Sequence, residues 1–117
     1  RHALEFFEAL PIETMRVADG LVSLGHYALA RPGEVYAIYV PHGGRTTIEL
    51  HQARGWFRVA WFNPRDGRWL PGENLRGGGL ATLVAPNDSK AVAGPTSVDW
   101  AVAIWRTDLE MAARPRL

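Results

Sequence analysis

The sequence predicts an all-β fold: a two-sheet antiparallel β-sandwich with a short N-terminal helix. Three observations carry that prediction. Six short runs rich in aromatic and β-branched residues recur along the chain, which is the composition and spacing of strands. The segments between most of them are built from Gly, Pro, Asn and Asp and are too short for the crossovers that parallel pairing needs. Five tryptophans in 117 residues, with twelve glycines and eight prolines, combine large rings for a core with frequent turns.

Taken in order, Arg1 to Leu10 sets Ala3, Phe6, Phe7 and Leu10 on one helical face, and Pro11 ends the helix. So short a helix is marginal alone in water, so its two rings need a surface, supplied either by the domain that follows or by one that precedes. Residues 1–15 are therefore a lead-in, 16–107 the sandwich and 108–117 a tail. The strand candidates are Leu24 to Ala30, Val35 to Val40, Thr46 to Leu50, Trp56 to Phe62, Leu80 to Ala85 and Val98 to Trp105. Six to eight strands are expected in all. Thr46, Ile48 and Leu50 alternate with Thr47 and Glu49, the pattern of a strand wet on one face. Val35 to Val40 has no polar face, so it is central in a sandwich or covered by a neighbouring domain. Arg76 to Gly79 reads as a flexible approach to the next strand, and Pro86 to Ser97 as the longest loop.

Composition excludes several classes of function. Thirteen basic against twelve acidic residues leave a net charge of +1 with no basic cluster, which gives no electrostatic case for nucleic acid. No apolar run approaches the ~18 residues of a membrane-spanning helix. With no cysteine, disulfides, thiolate chemistry and cysteine zinc sites are all excluded. Arg1-His2 is neither an initiator methionine nor the start of a signal peptide, so the chain reads as a piece of a longer protein.

Candidate chemistry is sparse. His2, His26, His42 and His51 fall in no metal-ligand spacing, and Ser23, Ser89 and Ser97 lie in no nucleophile elbow. Glu49, Asp66, Glu73 and Asp99 carry no spacing that would place two carboxylates across a cleft. Gly77-Gly78-Gly79 lacks the Lys-Ser/Thr of a phosphate loop. These observations predict no catalytic residue, no metal and no cofactor. Asp99 is expected to accept backbone N–H groups of the loop before it, and Arg65 to pair with Asp66. Trp100, in phase with Val98, Val102 and Ile104, and Trp61, in phase with Phe57 and Val59, belong to the core. Trp56, Trp69 and Trp105 remain as candidate ligand-binding rings, since an exposed indole can stack on a sugar ring or on proline-rich peptide.

Four motifs carry a family resemblance: GEVYAIYVPHGG at Gly33 to Gly44, TTIEL at Thr46 to Leu50, WFNPRDGRW at Trp61 to Trp69 and VDWAVAIW at Val98 to Trp105. With the lead-in Glu8 to Val22, this stretch resembles the putative collagen-binding domain at the C-terminus of putative collagenases and of glycoside-hydrolase-like barrel proteins, apiosidase-like ones included. The Pro86 to Ser97 loop is longer than that resemblance leads one to expect. The resemblance implies a noncatalytic accessory β-sandwich of a larger bacterial protein, extracellular or periplasmic, binding collagen or polysaccharide. The alternative is a purely structural domain that stabilises a catalytic barrel upstream in the same chain. Arg1 to Leu10 would then be the remnant of the barrel's last helix. The apolar area of Phe6, Phe7 and Val35 to Val40 fits such an intramolecular neighbour.

Overall fold

The computed structural model describes residues 2–86 and 98–109. Ser89, Ser97, nearly all of the Pro86 to Ser97 loop and residues 110–117 of the tail lie outside the described residues. Among the described residues, helix α1 (His2–Glu8) and a 3-10 turn at Ile12–Thr14 lead into nine strands. These are β1 (Arg16–Val17), β2 (Tyr27–Arg31), β3 (Val35–Val40), β4 (Arg45–Glu49), β5 (Trp56–Asn63), β6 (Arg68–Pro71), β7 (Leu75–Arg76), β8 (Leu80–Val84) and β9 (Trp100–Arg106). All pairings are antiparallel.

The two sheets are very unequal. One has seven strands, in the order β1-β2-β3-β9-β5-β6 with β7 also on β5, and the other is the pair β4-β8. All six expected strands are present within a few residues of their predicted bounds. The three not expected, β1, β6 and β7, are two to four residues long. Runs that short show no alternation, and Pro71 sits at the end of edge strand β6, where a missing N–H is tolerated.

The first core lies between the sheets. Tyr36, Ile38, Phe57, Val59, Trp61, Trp100, Val102 and Ile104 of the large sheet meet Ile48 and Leu83 of the small one and Leu50 just past the end of β4. Trp61 and Trp100 stand edge to face, 6.3 Å apart, in the favoured geometry for paired rings. Thr46, Ile48 and Leu50 are buried, as their alternation requires. Val98 is exposed and precedes the strand rather than sharing its inward face.

The second core explains the strand without a polar face. Tyr36, Ile38 and Val40 point between the sheets, whereas Val35 and Ala37 join Ala60, Phe62, Ala101, Ala103 and Trp105 on the large sheet's outer face. Phe6, Leu10 and Met15 cover that face. The small side chains Ala37, Ala60, Ala101 and Ala103 leave room for the lead-in to lie close to the sheet. Phe6 is only 5% exposed, so the lead-in packs on the domain that follows.

The glycine run is not a flexible approach. Gly77 N–H donates to the Gly55 carbonyl and Gly78 N–H to the Leu50 carbonyl, each at 2.8 Å. A Cβ at Gly77 would stand 2.5 Å from the Ala53 carbonyl oxygen. Close backbone approach, more than mobility, requires glycine there.

Candidate functional site

Cross-strand register settles where the candidate tryptophans point. Trp105 lies opposite Arg58 and Val35, Trp69 opposite Phe62, and Trp56 opposite Arg76, so all three occupy the outer face of the large sheet. They are not equivalent. Trp105 is 4% exposed and belongs to the second core, which removes it as an exposed platform for a ligand. Trp69 is half-buried, with its ring centroid 5.6 Å from Phe6 in a stacked pair and 4.9 Å from Phe62. The lead-in therefore occupies Trp69, and its ring is structural. Trp56 alone of the three is open, at 51% exposure, with the Arg76 guanidinium 5.8 Å from its ring centroid.

The same outer face carries a feature that the sequence did not disclose. Beside α1, across β1, β2, β3 and β9, runs an apolar groove of about 380 Å³. Phe7, Val17, Tyr27, Leu29, Ala37 and Tyr39 are among its walls, and Phe7, Val17, Tyr27 and Tyr39 are exposed. Tyr27 and Tyr39 are register partners, as are Leu29 and Ala37, which places all four on one face. The sequence signal for the groove is the in-phase sets Tyr27-Leu29 and Ala37-Tyr39. Only the pairing register shows that they adjoin. A second cleft of about 400 Å³ lies between the β6–β7 connection and β8, with Trp61, Gly72, Glu73 and Pro86 on its walls.

The polar candidates are used in the architecture. Asp99 accepts the Tyr39 hydroxyl at 2.7 Å and an Arg65 N–H at 2.8 Å; the loop expected to donate backbone N–H groups to it lies outside the described residues. Arg65 also donates to the Asp99 carbonyl and lies 5.3 Å from the Trp100 ring centroid, so it pairs across the turn with Asp99 and not with Asp66. Asp66 accepts the Arg68 N–H at 2.9 Å. The Tyr39 hydroxyl is held above its ordinary pKa, first by its hydrogen bond to Asp99 and then by burial.

The histidines do not converge either. The His26 ring nitrogen Nδ1 lies 2.7 Å from the Thr46 hydroxyl, and His51 pairs with Glu49 at 3.1 Å, both exposed. Burial, followed by the neighbouring His42, lowers the His26 pKa. Ser23 and Thr47 share a hydroxyl contact of 2.9 Å. No group of three metal-ligating side chains forms among the described residues, and no described helix is long and apolar enough to cross a membrane.

Comparison with known proteins places this geometry. The sequence matches no curated protein. Among solved structures, a glycoside hydrolase superposes with a TM-score of 0.71 at 12% identity, over 93% of this chain and 25% of its own. A glycoside hydrolase family 5 protein from Bacteroides vulgatus superposes with a TM-score of 0.71 at 13% identity, over 93% of this chain and 24% of its own. The chain therefore spans about a quarter of the length of these structures, and at such identity the likeness is one of fold. A family profile described as the putative collagen-binding domain of a collagenase matches residues 15–103. That match takes in β1 to β8 and the first four residues of β9, and the chain belongs to this collagen-binding-domain family.

Proposed function

We propose that this chain is a noncatalytic accessory sandwich of a larger extracellular or periplasmic protein, and that the outer face of its large sheet seats the catalytic barrel of that protein. The apolar groove beside α1 carries this reading. Exposed rings of Phe7, Tyr27 and Tyr39 around a channel of about 380 Å³ are what a domain interface buries. Two solved structures in which this fold is about a quarter of a glycoside hydrolase chain supply the kind of neighbour. Hydroxyl-radical footprinting tests it. Tyr27, Tyr39 and Phe7 should react readily in the isolated sandwich and be protected in the full-length protein. Equal reactivity in both would refute the docking.

A second reading, binding of polysaccharide or collagen, is favoured by the open ring of Trp56 and by the family's description. It uses a different part of the outer face, so the two readings are compatible. Retention of the isolated sandwich on polysaccharide, gelatin or collagen, weakened by Trp56→Ala, supports it. Retention that is absent on every matrix rejects it.

A further inference from the structure

The surroundings of Trp56 are selectively cationic. Arg76 is its cross-strand partner and stands 5.8 Å from the ring centroid. Arg58 lies two residues further along β5, on the same face, and exposed Arg54 precedes the strand. None of Arg54, Arg58 and Arg76 has a carboxylate partner among the described residues, where the ion pairs are those of Arg31, His51, Arg65 and Arg106. The nearby acid Asp108 is engaged at 2.6 Å by Arg106. The register sets Arg76 opposite Trp56 and Arg58 opposite Trp105, so exposed guanidinium groups gather around this ring in a chain whose net charge is only +1. Arg76 packs on the Trp56 ring as a cation–π pair, whereas no side-chain hydrogen bond or ion pair among the described residues uses Arg54 or Arg58.

We propose that Trp56, Arg58 and Arg76 form a binding subsite for an anionic polysaccharide. This inference rests on the second reading above and narrows its ligand class. The open indole offers an apolar plane to the C–H face of a pyranose ring. Each guanidinium offers a planar fork of donors that matches a carboxylate or sulfate bidentately. A collagen-like peptide, by contrast, presents mostly uncharged backbone and proline rings, which would use the indole but leave the guanidinium groups without a counterpart. The anionic polymer engages all three side chains.

Affinity electrophoresis of the 117-residue chain through gels containing polygalacturonate, dextran sulfate or neutral dextran tests this. The expected result is retardation by polygalacturonate, dextran sulfate or both, weakened by added salt, with at least tenfold weaker retardation by dextran. Which anionic polymer acts tells whether the group is a carboxylate or a sulfate. Trp56→Ala, and separately Arg58→Gln with Arg76→Gln, should each reduce retardation about tenfold at unchanged melting temperature. The proposal is overturned by equal retardation in dextran, by no retardation in any gel, or by retardation that both variants leave intact. Binding to immobilised gelatin that depends on Trp56, without anionic-polymer binding, overturns the ligand class but leaves the second reading standing. Binding to none of these matrices rejects both.

Discussion

At the scale of single residues, the five tryptophans differ in role although composition treats them alike. Trp100 packs edge to face on Trp61 between the sheets, so Trp100→Ala should cost ~3–5 kcal/mol through the cavity it leaves. Trp69 shares its contacts with Phe6 and Phe62 while half-buried, and Trp69→Ala should cost about 2 kcal/mol. Trp56→Ala should stay within about 0.5 kcal/mol, as expected of an exposed site. Denaturant midpoints of the three variants check that order, and a Trp69 variant as stable as the parent would move that ring to the surface. His26 supplies a pH dependence. Its folded-state pKa lies below the ordinary 6.5, so the unfolded chain binds the proton more readily. Its contribution is therefore complete above the ordinary value and is lost as pH falls through the lowered one. Stability should fall on acidification through this window more steeply in the parent than in His26→Asn. Parallel curves for the two proteins would contradict the assignment.

At the scale of elements, strands were legible wherever aromatic and β-branched residues crowd five or more positions between turn residues, as in Val35 to Val40 and Trp56 to Phe62. Arg16–Val17 and Leu75–Arg76 were not, because two residues hold no period. Gly77 to Gly79 was misread as flexible because composition records the absence of a side chain and not its reason. Here the reason is the Ala53 carbonyl, so Gly77→Ala should destabilise by ~1–3 kcal/mol by forcing that backbone apart. A melting temperature unchanged from the parent would refute the close approach. The helix was legible as an apolar face in search of a surface. Which surface was not, since periodicity names the face and never its partner. Phe6 and Phe7 now separate the two options that the sequence left open. Phe6→Ala should cost ~3–5 kcal/mol in the isolated chain because the ring is buried against Phe62, whereas Phe7→Ala should cost little. Comparable midpoints for the two variants would place α1 off the sheet.

At the scale of the whole molecule, a seven-stranded sheet is packed on one side by only two strands and on the other by a short lead-in. Among the described residues the lead-in is too small to cover the outer face, and two regions stay open: the apolar groove at Phe7, Tyr27 and Tyr39, and the aromatic and basic edge at Trp56. Of the candidate site, the sequence disclosed Trp56 but placed it beside Trp69 and Trp105, because three tryptophans in similar strands look alike until register and the helix decide which is covered. The groove stayed hidden for the related reason that its walls come from six separate segments. The account's central claim is that this groove is an interface. The most direct test compares the melting of the sandwich alone with its melting in the full-length protein, each carrying Tyr27→Asp or Phe7→Asp. Burial of apolar surface contributes about 25 cal/mol per Å². The account predicts that the sandwich melts at a higher temperature in the full-length protein, and that either substitution removes most of this gain while leaving the isolated sandwich almost unchanged. Two independent transitions, with the sandwich's own unmoved by its neighbour or by the substitutions, would contradict it.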